Sequence, residues 1–263
     1  LGVMRQTLLF GGLESIMRNV NRKSPNLRFF EFGNCYHYNP DKKDEDCPIN
    51  AYAEETHLAL WLTGKRVSGS WIHPDESTSF YELRAYVQNI LRRVGMPQGM
   101  LVMEKTDNNV FSNGVVLKNR GGKSFVEMGI VSTALLKQND IDVPVFYADL
   151  HWDNIVKAVR KSVVSFKEIS KYPSVSRDLA LLLDNEIEFE QVERVAFQSE
   201  KKLLKKVELF DVYQGDKLPV GKKSYAVNFV LQDEQATLND KKIDAIMSKL
   251  IANLKKQLGA ELR

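Results

Sequence analysis

Residues 204–231 read LKKVELFDVYQGDKLPVGKKSYAVNFVL, and they decide the fold of the second half of the chain. Two runs, 204–213 and 224–231, mix apolar and polar residues in alternation on either side of a turn that contains two glycines and a proline. Alternating runs that flank such a turn are typical of paired β-strands. The sequence therefore predicts a β-hairpin in this part of the chain.

Elements on both sides of this hairpin complete a recognisable order. The patterns before it predict a strand at 178–183 and a helix at 189–198. Those after it predict a helix at 240–258, with capping residues at 237–240, and a closing strand. Strand–helix–strand–strand–helix–strand is the ferredoxin-like order, βαββαβ. We therefore expect a ferredoxin-like domain here.

The alternation of side chains predicts which hairpin residues stay uncovered. In a ferredoxin-like domain two helices cover one face of the sheet, and successive side chains point to opposite faces. Strict alternation puts Phe210 and Val212 with the bulky set that faces the helices, and it puts Leu209 on the other side. The open face is then predicted to present Asp211, Tyr213, Ser224 and Asn228.

This predicted surface suits single-stranded RNA. An aromatic ring stacks on an unpaired base, and short polar groups bond the edge of the base. Lys217, Lys222 and Lys223 lie in the adjoining turn, where they could reach phosphates. The pattern alone favours the simpler alternative, in which Tyr213 is an ordinary surface or interface aromatic beside solvated lysines. The net charge of only +3 requires that any RNA contact come from placed residues.

The first half of the chain predicts a second, different unit. Amphipathic helices are expected at 8–20 and 80–94, and short strands between and after them do not alternate regularly with helices. That arrangement indicates an α+β class with a mostly antiparallel sheet. We predict domains at 1–162 and 172–263, joined by a linker at 163–171.

Composition excludes several classes of function. The chain has two cysteines and four histidines, all scattered, so we expect no metal site, and we expect His57 to serve in packing. No apolar run is long enough to span a bilayer, and the charge is too mild for a polybasic membrane anchor. The start at Leu1, directly before a helical pattern, suggests the end of a longer polypeptide. Few cysteines favour a reducing cytosol.

Four spaced motifs occur in order in the second half: YPSVSRDLA at 172–180, FDVYQG at 210–215, GKKSYA at 221–226 and TLND at 237–240. Together they closely resemble the ferredoxin-fold anticodon-binding domain that ends the beta subunit of bacterial phenylalanyl-tRNA synthetases. In that family the domain engages the anticodon end of the tRNA. The resemblance implies that Tyr213 holds the base-stacking position and that Asp211 and Ser224 are its polar neighbours.

Residues 27–39, LRFFEFGNCYHYN, resemble the second signature motif of class II aminoacyl-tRNA synthetases. In that motif an arginine grips the ATP α-phosphate and a glutamate orients the adenine. The register places His37 and Asn39 at those two positions, and neither side chain can do the same work. The resemblance therefore implies a class II synthetase-like domain with no catalytic residue of its own.

The segments MRQTLL at 4–9 and FYELR at 80–84 extend this resemblance to the synthetase-like domain of the same beta subunit. It implies a catalytic alpha subunit as partner, in a complex of two alpha and two beta chains. It also implies tRNA(Phe) as ligand, a cytoplasmic location, and ATP and Mg²⁺ in the whole ligase, with neither bound by this part. A stand-alone regulatory or RNA-binding protein is the alternative. The substitutions at His37 and Asn39 argue against an independent enzyme.

Overall fold

The structure, a computed structural model, describes residues 3–44, 46–96, 99–163, 166 and 168–263. The chain divides into two compact units, Leu1–Ser165 and Phe166–Arg263, called unit 1 and unit 2 below. Within the predicted linker at 163–171, the residues Val164, Ser165 and Lys167 lie outside the described part of the chain.

Unit 1 is built on an antiparallel sheet with helices between its strands. Its elements are α1 (Leu9–Asn21), β1 (Leu27–Tyr38), β2 (Tyr52–Thr63), β3 (Lys65–Val67), β4 (Glu76–Ser77), α2 (Phe80–Arg93), β5 (Leu101–Thr106), β6 (Phe111–Asn119), β7 (Ser124–Val131), α3 (Thr133–Gln138), β8 (Val145–His151) and α4 (Trp152–Val159). Among the described residues, six strands form the main sheet in the order β1-β2-β8-β7-β6-β5, and β3 pairs with β4.

Helices cover both faces of the six-stranded sheet. α1 and α3 pack on one face, and α2 and α4 pack on the other. The central strand β2 shows the consequence, because Trp61 belongs to the core under α1 while Leu60 and Leu62 belong to the core under α2. A strand that is covered on both sides has a continuous apolar run rather than an alternating one.

An ion pair fixes α2 to the outer strand β1. The Arg28 Nε atom lies 3.1 Å from the Glu82 carboxylate, whose side chain is only 10% exposed. The same guanidinium donates to the Thr63 carbonyl oxygen at 3.0 Å and to the Thr78 hydroxyl at 2.7 Å. Glu82 sits in the first turn of α2, where the helix dipole favours a negative charge. Several donors of one arginine thus set the position of this helix.

Unit 2 has the predicted element order. β9 (Val175–Asp184), α5 (Phe189–Ser199), β10 (Leu204–Tyr213), β11 (Lys222–Leu231), α6 (Asp240–Leu258) and β12 (Glu261–Leu262) follow one another. In the described part of this unit, the four strands pair antiparallel in the order β10-β11-β9-β12. Both helices pack on one face of this sheet, over Val227 and Phe229. The predicted α+β class and the ferredoxin-like order are confirmed.

The caps of α6 agree with the sequence. The Asn239 side chain accepts a hydrogen bond from the Lys242 backbone N–H at 2.9 Å, and Gly259 ends the helix with φ +64°. Glycine adopts this left-handed conformation without steric cost.

None of the helices built by the described residues combines the length and apolar character that crossing a membrane would need.

The predicted distribution of β10 side chains between the two faces is partly wrong. Leu209 opposes Val227 and packs against the core, whereas strict alternation puts Leu209 on the open side. The reason is a register shift between Leu209 and Asp211, which leaves Phe210 as an extra, 61% exposed residue in a β-bulge. Because the bulge reverses the alternation at this point, Asp211 and Tyr213 lie on the open face although Leu209 faces the core.

Both cysteines are free in the described part of the chain. Cys35 is buried, and its burial, followed by the charge of Asp149, raises the pKa of its thiol to about 11. A thiol with so high a pKa stays protonated near neutral pH, so Cys35 acts as a small apolar residue of the core.

Two neighbouring glycines of α1 test the packing of unit 1. A Cβ atom at Gly12 would lie 2.1 Å from the ring of Trp61, which is 1% exposed. We expect Gly12→Ala to lower the free energy of unfolding of unit 1 by about 1–3 kcal/mol, because the buried ring must move.

Gly11→Ala is the matched control, because its Cβ would meet only the Glu31 carboxylate at 3.9 Å. Alanine favours the helix by up to about 1 kcal/mol, so this variant should be neutral or slightly more stable. Thermal unfolding of both variants measures the difference, and equal midpoints would contradict the contact between Trp61 and α1.

Candidate functional site

The open face of the unit 2 sheet carries a concave site of about 480 Å³. Four of its lining residues, Asp211, Tyr213, Lys217 and Ser224, belong to the predicted RNA-binding set. The remaining lining residues are Ala180, Ala226 and Arg263. The site thus combines an aromatic ring, a hydroxyl, a carboxylate and two cationic side chains within one surface depression.

Register across three strands builds the floor of this concave site. Ala226 on β11 lies opposite Ala180 on β9 and opposite Asp211 on β10. Ser224, two residues earlier on β11, lies opposite Tyr213. Residues two apart on a strand share a face, so all of these side chains point away from the helices. The small alanines leave the space that the larger residues surround.

Tyr213 stands at the end of β10 and has support on two sides. The Arg263 guanidinium carbon lies 5.5 Å from the centre of the Tyr213 ring, within cation–π distance. A Cβ at Gly215 would come within 2.7 Å of the Tyr213 hydroxyl oxygen, so the glycine lets the turn pass close to the ring. These contacts hold the ring in place while it stays partly exposed.

Three residues of the predicted set lie outside the concave site. Asn228 shares the open face, but its amide donates to the Asp178 carboxylate at 2.5 Å, farther along the sheet. The Lys222 ammonium lies 2.9 Å from Asp184, and this hydrogen bond to the carboxylate raises the pKa of Lys222. Both side chains already have a partner within the unit.

The prediction for Lys223, the third of these residues, is corrected by its burial. Lys223 is only 6% exposed, its ammonium donates to the Asn185 carbonyl oxygen at 2.8 Å, and it lies 4.7 Å from the centre of the Tyr225 ring. It therefore points to the helix-covered side of β11, as strand alternation from Ser224 requires. Lys217 and Arg263 are the cations that line the concave site.

Arg263, Ala180 and Ala226 are absent from the predicted set. Arg263 reaches the site because β12 pairs with β9, and the Arg263 backbone N–H donates to the Ala180 carbonyl oxygen at 3.0 Å. The ferredoxin-like strand order could have predicted the position of Arg263, because that order places the closing strand beside β9. The two alanines, each within a strand of larger residues, could have predicted a depression in the sheet surface.

In unit 1, His37 and Asn39, to which the motif resemblance assigns the ATP-binding positions, lie at the end of β1 and directly after it. His37 is exposed and pairs with Ala53 across the β1–β2 hairpin. The Asn39 side chain accepts a hydrogen bond from the Asp41 backbone N–H at 3.0 Å, which caps a short helical turn. Neither side chain is a guanidinium or a carboxylate, so the two residues do not fit the contacts to phosphate and adenine by which the class II motif binds ATP.

A polar cluster interrupts the α1 side of the unit 1 core at the end of β8. His57 is 4% exposed, and its Nδ1 atom lies 2.6 Å from the Asp149 carboxylate. Burial lowers the pKa of His57, but the hydrogen bond and charge of Asp149, with Glu55, outweigh it and raise the pKa. Burial lowers the pKa of the neighbouring His151. His57 is buried, as a packing role requires, but it also makes polar contacts with Asp149 and Glu55 that packing alone does not explain.

Comparisons with known proteins cover both units. The family described as "Phenylalanyl tRNA synthetase beta chain CLM domain" matches residues 1–152, and the "Ferredoxin-fold anticodon binding domain" matches residues 170–263. The phenylalanine–tRNA ligase beta subunits of Bacteroides fragilis and Bacteroides thetaiotaomicron are each 55% identical to this chain over 263 residues. That of Porphyromonas gingivalis is 46% identical over 263 residues.

Each of these three alignments covers 100% of this chain and 32% of the relative. The chain therefore spans about a third of the length of the curated relatives that it matches. Two domain families match in succession, and the order of the two units agrees with the order of the matches. The chain belongs to the phenylalanyl-tRNA synthetase beta chain family.

Proposed function

We propose that this chain is the non-catalytic C-terminal portion of a phenylalanine–tRNA ligase beta subunit, in which unit 2 binds the anticodon region of tRNA(Phe). The observation that carries the proposal is the concave site, where Tyr213, Asp211, Ser224, Lys217 and Arg263 meet on the uncovered face of the sheet. The match of residues 170–263 to an anticodon-binding domain family supports it.

The geometry suits an unpaired base rather than a duplex. A splayed base would stack on the exposed part of the Tyr213 ring, and stacking of this kind contributes about 1–3 kcal/mol per base. The Asp211 carboxylate accepts hydrogen bonds, and the Ser224 hydroxyl, on a residue only 6% exposed at the floor of the site, both donates and accepts, so together they would discriminate between base edges. Lys217 and Arg263 supply positive charge for the phosphates on either side.

For unit 1 the proposed role is assembly with the catalytic alpha subunit, in a complex of two alpha and two beta chains. Large aromatic side chains support it: Phe30 and Phe32 on the outer strand β1 are 73% and 51% exposed, and Tyr81 at the start of α2 is 75% exposed. Exposed apolar groups of this size are typical of protein–protein contacts. ATP and Mg²⁺ then act at the alpha subunit, in the cytoplasm.

Removal of the Tyr213 ring tests the assigned face. Tyr213→Ala should weaken binding of a tRNA(Phe) anticodon stem-loop to the assembled ligase by roughly 1–3 kcal/mol, because the stacking platform is lost. Tyr213→Phe keeps the ring and should retain most of the affinity. Dissociation constants from fluorescence anisotropy give the comparison.

Phe210→Ala is the control for Tyr213, since Phe210 is an exposed aromatic of the same strand that does not line the concave site. It should leave the dissociation constant unchanged. Equal affinities for the Tyr213→Ala and Phe210→Ala proteins would refute the proposed RNA face.

The salt dependence of RNA binding tests whether Lys217, rather than Lys222, contacts a phosphate. Lys217→Ala should lower the slope of log K against log[salt] by about 0.7, because one phosphate contact to a single strand is lost. Lys222→Ala removes an ammonium that is paired with Asp184, so its slope should stay close to that of the parent. A larger change for Lys222 than for Lys217 would require a different path for the RNA backbone.

The non-catalytic role of unit 1 has a direct measurement. This chain alone should show no phenylalanine-dependent exchange of pyrophosphate into ATP, because His37 and Asn39 replace the charged groups of the motif. The assembled alpha–beta ligase is the positive control. Robust exchange by the chain alone would restore the interpretation as an independent enzyme, and failure to co-purify with an alpha subunit would favour a stand-alone RNA-binding protein.

A further inference from the structure

Two adjacent strands of unit 1 bring Glu55, His57 and His151 together. Glu55 and His57 are two residues apart on β2 and share a face, and His151 lies directly opposite His57 at the end of β8. One potential ligand atom of each residue lies within 4.8 Å of those of the other two. The residues are distant in the sequence but converge through strand pairing.

His57 has the geometry of a metal ligand whose orientation is already fixed. Its Nδ1 atom is 2.6 Å from the Asp149 carboxylate, and a carboxylate on one imidazole nitrogen is the usual support for a histidine that binds metal through the other. The other nitrogen, Nε2, is buried and finds no hydrogen-bond partner among the described residues. A buried nitrogen without a hydrogen-bond partner is costly, and coordination of a metal ion is one way to satisfy it.

The unpartnered nitrogen points into the cluster. His57 Nε2 lies 3.6 Å from a Glu55 carboxylate oxygen, and the His57 and His151 ring centres are 4.7 Å apart. Ligand atoms around a tetrahedral zinc ion are about 3.4 Å apart, given bonds of ~2.1 Å. The Glu55 side chain is 50% exposed, so rotation about its side-chain bonds can bring its carboxylate oxygen to the spacing that a shared ion needs.

The surrounding charges favour a cation. Asp149 borders the cluster, and Glu127 on β7 lies opposite Asp149. The guanidinium of Arg5, on the same face, is 2.6 Å from Glu31 and is therefore already paired. Two imidazoles beside several carboxylates make an environment in which positive charge is stabilised.

We propose that Glu55, His57 and His151 bind a divalent transition-metal ion of the Zn²⁺ class, with Asp149 as the residue that positions His57. Imidazole donors suit zinc and its neighbours, whereas Mg²⁺ prefers oxygen ligands, so this site is distinct from any magnesium requirement of the ligase. Three protein ligands leave a fourth position for water. The ion would tie β2 to the junction of β8 with α4, where His151 is the N-cap.

Metal titration tests the proposal on the whole 263-residue chain, in a Cys47→Ser background that removes a partly exposed thiol. After treatment with EDTA, isothermal titration with Zn²⁺ should show one saturable site that excess Mg²⁺ does not displace. Glu55→Gln and His151→Asn should each abolish or greatly weaken that site, and Asp149→Asn should weaken it by about 10- to 100-fold.

His73→Asn is the matched control, since His73 is exposed and lies outside the cluster. Its affinity for Zn²⁺ should equal that of the parent. Circular dichroism of each metal-free variant establishes that it is folded; Glu55 and His151 are chosen because they are less buried than His57.

Co²⁺ gives a second readout. It should produce visible d–d bands without a thiolate charge-transfer band, because the assigned ligands are nitrogen and oxygen. A thiolate band would overturn the ligand set. The absence of saturable Zn²⁺ binding, or equal loss in the His73 and His151 variants, would overturn the site itself. Neither result bears on tRNA binding by unit 2, so the two proposals can fail separately.

Discussion

Two helices can bury only one face of a four-stranded sheet, and the candidate RNA site of unit 2 depends on this one-sided burial. The large residues of β11, such as Val227 and Phe229, are fully buried under α5 and α6. The intervening residues must then point the other way. On that face the structure has alanines in the middle of the sheet, with Tyr213, Asp211 and Arg263 around them. A concave surface follows from small residues at the centre and larger ones at the rim.

Unit 1 uses its sheet in the opposite manner. Helices cover both faces, so the second half of β2, from Leu58 to Leu62, is buried and apolar on both sides. Polar residues that persist in such a unit need local partners. Arg28 and Glu82 have each other, and Asn39 caps a turn. His37, at the end of β1, is exposed to solvent and pairs with Ala53.

The sequence predicts the order of elements in unit 2 well, because capping residues, glycines and strand alternation are local signals. It does not predict the bulge at Phe210, since an extra residue in one strand is defined only by the partner strand. The burial of Lys223 follows from alternation, but the carbonyl of Asn185 that receives its ammonium does not. Arg263, and the pairing of His57 with His151, depend on contacts between strands far apart in the chain. Without these contacts, the sequence predicts only a packing role for His57.

The bulge has a further consequence for how copies of this chain behave in solution. β10 is an outer strand of its sheet, and such strands expose backbone N–H and C=O groups to which another molecule can add a strand. Register shifts at two points along β10 break that row of groups, and exposed Lys205, Lys206 and Glu208 put charge beside it. The irregularity that turns Tyr213 outward therefore also discourages intermolecular sheet growth and aggregation.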